Sequence, residues 1–224
     1  MARKVGLIAY REPHRKTEEV LQRLLGCDYE LTIYTLPFIS RPHREAFFTH
    51  RPNQSIAVTP GDIARKHGIP YYEYERDTDI PVDSEIYLVL GANILSKECA
   101  GRLKIINCHP GVIPTSRGLD SFKWAIYMRK PLGVTLHYLD GNVDAGEIIS
   151  VIPTDVYQSD SLESLSRRHY QNEIDSLVRF EAYLFDPINR FSNVSADRAR
   201  MRMPLVKERE LPELLTEYKK KYAV

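Results

Sequence analysis

The residues most able to do chemistry lie near the middle of the chain, where Asn107 and His109 follow a buried apolar run. An amide can donate hydrogen bonds to a developing negative charge, and an imidazole can exchange a proton near neutral pH. On a continuing strand, side chains two residues apart share one face. Pro110, Gly111 and Pro114 then predict a stiff turn away from the strand. An isolated N-x-H also has an ordinary interpretation, a turn cap beside a loop histidine.

A second group of polar residues follows further along the chain. Asp144 lies in a short predicted loop between two apolar runs, 134–139 and 147–153. Aspartate in such a loop commonly forms the turn itself. His137 falls inside the first run, where a histidine more often supports the structure than reacts.

The elements that must position these residues alternate along the chain. Short apolar runs predict strands that are buried on both faces. They lie at 5–9, 31–34, 69–74, 86–90, 103–107, 134–139 and 147–153. Helices are predicted at 15–26, 60–68, 120–129, 160–185 and 211–222, the fourth with a capping box formed by Asp160 and Glu163. This alternation predicts an α/β protein, a Rossmann-like three-layer sandwich with a mostly parallel central sheet.

Composition narrows the class of protein. Lys and Arg number 31 and Asp and Glu number 30, so the net charge of +1 gives no general attraction to nucleic acid or to a membrane surface. No apolar stretch approaches the roughly 20 residues of a membrane span. The three cysteines form no C-x-x-C pair, and the seven histidines show no ligand spacing for a metal. We therefore expect a cytoplasmic protein without a metal.

The tail differs from the rest of the chain. Residues 187–212 contain three prolines among many charges. We predict a catalytic domain at 1–185 and a charged tail at 186–224 with one short helix. Because homodimers are the commonest assemblies, we also expect a homodimer.

Several segments together resemble the folate-dependent formyltransferases, a family that includes glycinamide ribonucleotide, methionyl-tRNA and amino-sugar N-formyltransferases. The resemblance is strong over the middle third of the chain, and over the first 85 residues it is one of topology alone. The order and spacing of several pieces make it far more specific than any single motif. It is carried by Gly91–Leu95, N-x-H-P-G…P…R-G at 107–118, Trp124–Ile126, G-V-T-L-H at 133–137 and D-x-G at 144–146.

The resemblance implies a formyltransferase fold and places the family's catalytic residues on Asn107, His109 and Asp144. Formyl transfer passes through a tetrahedral intermediate with an oxyanion, which donors placed beforehand stabilise. The Asn107 amide and a protonated His109 are the expected donors. Asp144 could raise the pKa of the imidazole and relay protons.

The resemblance also implies a donor, 10-formyltetrahydrofolate, bound by two loops. The expected folate-binding residues are Leu90, Gly91, Ala92, Asn93, Ile94, Leu95, Leu139, Asp140, Gly141, Asn142 and Val143. Leu90 and Ile94 could equally belong to the core.

The acceptor is expected to be a small-molecule amine. The glycines that cradle a phosphate after the first strand of the glycinamide ribonucleotide enzymes are absent, although Arg11 could bind phosphate by charge. Too few residues follow 185 for the second β domain of the transfer-RNA enzymes. An amine on a nucleotide-linked sugar remains, with Tyr10, Arg11 and Arg117 as candidate contacts.

Three alternatives stay open. The chain could be a glycinamide ribonucleotide formyltransferase, or a formyltetrahydrofolate hydrolase with water as acceptor. It could also be a non-catalytic folate- or nucleotide-binding module, against which stands the presence of all three catalytic residue types.

Overall fold

The computed structural model of the protein describes residues 2–40, 44–140, 146–188 and 198–224. The strands are β1 Arg3–Tyr10, β2 Tyr29–Leu36, β3 Tyr71–Glu73, β4 Ile86–Val89, β5 Ile105–His109, β6 Gly133–Tyr138 and β7 Ile148–Pro153. The helices are α1 Arg15–Leu24, α2 Pro60–His67, α3 Lys97–Arg102, α4 Ser121–Tyr127, α5 Leu162–Val178, α6 Phe180–Phe185, α7 Leu205–Glu208 and α8 Leu211–Tyr222. A 3-10 turn spans Asp77–Asp79.

The strands form one sheet in the order β3-β2-β1-β4-β5-β6-β7. β1 pairs in parallel with β2 and β4, β2 with β3, and β4 with β5, whereas β6 and β7 are antiparallel. The predicted α/β class with a mostly parallel sheet is confirmed. The order 3-2-1-4-5 is that of a doubly wound sheet, which binds ligands where the strand order reverses.

By their contacts the residues fall into two compact units. The first consists of Met1–Arg41, Asn53–Asn107 and Tyr138–Glu147. Its buried apolar side chains come from β1, β2, β4 and the start of β5, with Tyr34 and Tyr87 among the largest. The strands are buried because their apolar runs carry no polar alternation.

The second unit consists of Pro42–Pro52, Cys108–His137 and Ile148–Val224. Its core joins α4 to the tail, because Met203, Leu211 and Tyr218 are fully buried with Phe122. The helix predicted at 211–222 is confirmed. The tail therefore contributes side chains to this core, while the proposed division at 185 stays a prediction.

The helix predicted over 160–185 is two helices, α5 and α6, divided at Arg179. The predicted capping box was wrong in its residues. Ser161 is the N-cap, and its hydroxyl accepts from the Ser164 amide while the Ser164 hydroxyl accepts from the Ser161 amide. Asp160 instead accepts hydrogen bonds from the Tyr157 amide and from Arg168. The two short helices α3 and α7 were not predicted, since neither is long enough to show an apolar period.

Candidate active site

Asn107 and His109 both lie on β5, which extends two residues beyond the predicted strand. Side chains two apart on a strand leave the same face, as the sequence predicted. The Asn107 residue is half-buried, and His109 is only 4% exposed.

The His109 ring is fixed by its Nε2 atom. This nitrogen lies 2.8 Å from the Ser116 carbonyl oxygen and 3.1 Å from Ser121 Oγ. Ser121 Oγ donates its own hydrogen to the Gly118 carbonyl oxygen at 3.0 Å, so it accepts from the ring. A carbonyl oxygen accepts only, and therefore Nε2 carries a hydrogen. In this tautomer, Nδ1 is the ring nitrogen without a hydrogen, so it is the one able to act as an acceptor.

The turn after His109 requires glycine at position 111. A Cβ atom there would lie 2.8 Å from His109 Nε2 and 2.8 Å from the Ser121 Cβ. Thr135 of β6 also holds this turn, since its hydroxyl donates to the Gly111 carbonyl oxygen at 2.7 Å and accepts from the Ile113 amide at 3.0 Å. Ser116 and Ser121 were not singled out from the sequence. Thr135 belongs to the G-V-T-L-H segment, so the pattern already contained it.

The predicted folate loop at 90–95 begins at the end of β4, beside β1. The Leu90 amide donates to the Ile8 carbonyl oxygen at 2.9 Å, and Asn93 donates to the Pro37 carbonyl oxygen at 3.0 Å. A Cβ at Gly91 would lie 2.7 Å from His14 Nδ1 and 2.8 Å from the Tyr10 ring, so any larger residue would force these rings to move. The structure thus brings Tyr10 and Gly91 together at the reversal of strand order.

Apolar members of this loop differ in exposure. Leu90 is fully buried and belongs to the core, whereas Ile94 is 77% exposed. An exposed branched side chain beside a strand-end loop is free to contact a planar ring. The core alternative therefore fits Leu90, and the binding alternative fits Ile94.

Arg11 is engaged by acidic residues. Its Nε lies 3.0 Å from a Glu73 carboxylate oxygen and its Nη2 lies 3.0 Å from one of Glu75. The hydrogen bond that Arg11 donates to Glu75 raises the pKa of Arg11, with burial opposing it. Arg11 also lines an open cleft of about 380 Å³ with Tyr71 and the start of α2. Its charge is therefore met by carboxylates, which weakens the expectation that it binds phosphate.

The structure describes some of the remaining predicted site residues but not others. The Leu139 amide donates to the Ile105 carbonyl oxygen at 3.0 Å, next to β5, and Asp140 is exposed. Arg117 is half-buried, and its carbonyl oxygen accepts from the Arg200 amide at 2.9 Å. Gly141, Asn142, Val143 and the proposed catalytic Asp144 lie outside the described residues.

Within the second unit, a buried ion pair joins the tail to α4. Lys123 Nζ of α4 lies 2.8 Å from Glu208 Oε1, and both side chains are less than 5% exposed. Glu208 Oε2 accepts from the amides of Phe47 and Phe48 at 2.8 and 3.4 Å. Burial raises the pKa of Glu208, but Lys123 and these amides outweigh burial and lower it. The tail thereby fixes the 47–48 backbone to the helix that begins at Ser121.

Among the described residues, no group of three metal-ligating side chains is present. Within the same residues, no helix has both the length and the apolar character of a membrane span. Cys27, Cys99 and Cys108 are all free thiols.

Fold and site together define an α/β protein whose candidate site residues lie at or just after the carboxyl ends of β1, β4 and β5. A sequence profile described as formyl transferase matches residues 78–180. Over these residues, which make up less than half of the chain, the sequence resembles that family.

The chain is 35% identical over 71 residues to a phosphoribosylglycinamide formyltransferase of Bacillus subtilis, which is 31% of this chain and 36% of that protein. It thus spans about a third of that relative's length. A solved sugar N-formyltransferase from Shewanella superposes with a TM-score of 0.58 at 15% identity, covering 96% of this chain and 87% of that one. WlaRD, a sugar 3N-formyl transferase solved in the presence of dTDP and 5-N-formyl-THF, gives a TM-score of 0.55 at 15% identity over 83% of this chain and 64% of that one.

Proposed function

We propose that the protein transfers a formyl group from 10-formyltetrahydrofolate to a primary amine. The observation that carries the proposal is the pair on β5, a half-buried amide at Asn107 and a buried imidazole at His109 whose Nε2–H tautomer is fixed. The family match over 78–180 supplies the reaction class.

The chemistry follows from these groups. The amine nitrogen attacks the formyl carbon, and the carbonyl becomes an oxyanion that Asn107 and a protonated His109 stabilise by hydrogen bonding. A missing oxyanion donor costs about 3 kcal/mol in such reactions. The bond from carbon to the folate N10 then breaks, N10 takes a proton, and the new formamide loses the proton of the former amine. We assign the proton relay to Asp144, as the family resemblance implies.

The relay role has a direct test. Asp144→Asn should lower kcat by a factor of roughly 10² to 10⁴, the range for a lost general acid or base. Asp28→Asn, a change at an exposed carboxylate, is the matched control. Near-full activity of Asp144→Asn at saturating donor would remove Asp144 from the mechanism.

The proposed folate site lies at the carboxyl ends of β1 and β4. Doubly wound sheets bind ligands at this reversal of strand order. The 90–95 loop would hold the pterin, with backbone groups at its edge and Ile94 against its face, and Leu139–Val143 would complete the site. The 5-N-formyl-THF present with WlaRD supports a folate donor of this kind.

The acceptor we favour is an amine on a nucleotide-linked sugar. Two solved relatives of similar fold are sugar N-formyltransferases, and the Shewanella enzyme matches nearly the full chain. Arg11 is already paired with carboxylates, so a phosphate cradle after β1 is poorly provided. Tyr10 and Arg117 remain as candidate acceptor contacts. Glycinamide ribonucleotide is the second candidate, favoured by the 35% identical stretch shared with the Bacillus enzyme.

The experiment is a screen of amines with 10-formyltetrahydrofolate in which both tetrahydrofolate and the formylated product are quantified. Sugar nucleotides bearing free amines, glycinamide ribonucleotide and a reaction without amine are compared. We expect one formamide per tetrahydrofolate with a sugar nucleotide. Equal turnover without amine would establish the hydrolase instead, and no turnover with any amine or with water would favour the binding module.

Three free thiols fit a reducing compartment, and we propose that the reaction takes place in the cytoplasm. A homodimer remains a proposal, to be tested by light scattering.

A further inference from the structure

His169 of α5 contacts the turn that follows His109, although it lies 60 residues further along the chain. The side chain is 3% exposed. Its Nε2 lies 3.2 Å from the Pro110 carbonyl oxygen, and its Nδ1 lies 2.9 Å from Thr154 Oγ1. Pro110 is the residue directly after His109, so this contact acts at the exit of β5.

Hydrogen-bond chemistry fixes the tautomer of His169. A carbonyl oxygen can only accept, so Nε2 donates to Pro110 and Nδ1 accepts from the Thr154 hydroxyl. Thr154 Oγ1 in turn accepts from Asn172 Nδ2 at 3.0 Å, which leaves its hydrogen for the ring. The hydrogen bonds therefore all point one way: Asn172 donates to Thr154, Thr154 donates to His169, and His169 donates to Pro110.

The ring also stays neutral. Burial lowers the pKa of His169 to about 4, with the Pro110 hydrogen bond and Glu173 opposing, and with Arg51 and His109 adding to the decrease. A neutral ring keeps one donor and one acceptor at neutral pH. The direction of donation along this series of hydrogen bonds is therefore constant over the pH range in which a formyl transfer enzyme would work.

A second contact joins His169 to the partners of His109. The Phe122 ring lies 5.5 Å from the His169 ring, centroid to centroid, and Phe122 directly follows Ser121. The His50 ring also stacks on Phe122, with ring centroids 5.8 Å apart and an angle of 3° between the ring planes. His169 thus contacts both chain segments that orient the His109 ring, the turn at Pro110 and the start of α4.

We propose that His169 is a positioning residue of the formyl-transfer site, which holds the turn after His109 through the Pro110 carbonyl and so keeps the imidazole in its reactive orientation. The proposal rests on the proposed function. It assigns His169 no contact with donor or acceptor, which separates its effect on kcat from any effect on KM.

The kinetic test compares isosteric changes. Thr154→Val removes the hydroxyl that orients the ring at nearly constant shape, and Thr154→Ser restores it. One lost hydrogen bond corresponds to roughly a fivefold change. We expect Thr154→Val to lower kcat about fivefold with KM unchanged, and His169→Leu to lower it further. His169→Gln, whose amide can donate in place of Nε2, should recover most of the loss. Thr216→Val, at an exposed site on α8, is the control.

A readout that needs no activity separates this proposal from the proposed function. In protein labelled with ¹⁵N-histidine, the ring of His169 should show the Nε2–H tautomer and no titration above about pH 5. In Thr154→Val the His109 ring signals should shift, while His67, exposed at the end of α2, should not. If the wild-type protein formylates no amine, the function fails and this spectrum still decides the positioning role.

Three results would overturn the inference. They are an Nδ1–H tautomer at His169, His109 signals that stay unchanged in both Thr154→Val and folded His169→Leu, and a change in KM with kcat kept within twofold of wild type.

Discussion

The Nε2 atom of His109 lies 2.8 Å from the carbonyl oxygen of Ser116, seven residues further along the chain. A backbone acceptor cannot be removed by a side-chain substitution, so the fold itself fixes which nitrogen of the imidazole carries the permanent hydrogen. In the proposed mechanism, Nδ1 is then the nitrogen that takes up and releases a proton.

Ser121 shares this hydrogen with Ser116, and its removal should weaken the orientation of the ring without abolishing it. We expect Ser121→Ala to lower kcat by roughly fivefold, the equivalent of one net hydrogen bond. Steady-state kinetics at saturating donor measure the change. Ser166→Ala is the control, because Ser166 is also a buried serine but bonds only within α5, to the Glu163 carbonyl oxygen at 3.1 Å. Equal loss in both variants would refute a specific role for Ser121.

The Lys123–Glu208 pair should contribute strongly to stability, because both ends are buried. Lys123→Met leaves the Glu208 carboxylate buried without its cation, which typically costs 3 to 5 kcal/mol, as an order of magnitude. Urea unfolding measures the free energy. Lys220→Met, which breaks the exposed pair with Glu217, should leave the free energy of unfolding nearly unchanged. A loss at Lys123 no larger than the loss at Lys220 would contradict the structure.

Asp160 should make stability depend on acid pH. The hydrogen bonds from Arg168, opposed by burial and aided by the Tyr157 amide, lower the pKa of Asp160 from 3.8 to about 2. A carboxylate with a depressed folded-state pKa stabilises fully above its unfolded pKa, and the contribution disappears as pH falls towards the folded value.

Asp160→Asn should therefore be less stable than wild type by on the order of 2 kcal/mol at pH 6, with the difference shrinking between about pH 4 and pH 2. Denaturant unfolding across this range provides the comparison, with Asp28→Asn as the exposed control. A difference that is constant with pH would show that the carboxylate charge plays no part.

Much of the fold was predictable because the strands are continuous apolar runs. The position of β4 was predicted within one residue, and that of β6 likewise. The division of α5 from α6 at Arg179 was missed, because apolar residues at helical spacing continue through it. The burial of Met203 and Tyr218 was not predicted, because they lie among charged residues of the tail and are buried by contacts with α4.

The candidate site was predictable only where it is local in sequence. Asn107 and His109 stood out because their spacing on one strand carries a chemical meaning. His169 did not, since a lone histidine on a helix gives no sign of a backbone carbonyl 59 residues away. The role of Ser121 was not predicted either, because serine is common at the start of a helix.

The most direct test of the account is the turnover of His109→Asn with 10-formyltetrahydrofolate and the best amine from the screen. His67→Asn, at an exposed position on α2, is the matched control. We predict that His109→Asn lowers kcat at least about 100-fold, as for the loss of a catalytic acid or base, while His67→Asn stays within twofold. Equal formamide production by the two variants would contradict the central claim that formyl transfer takes place at the end of β5.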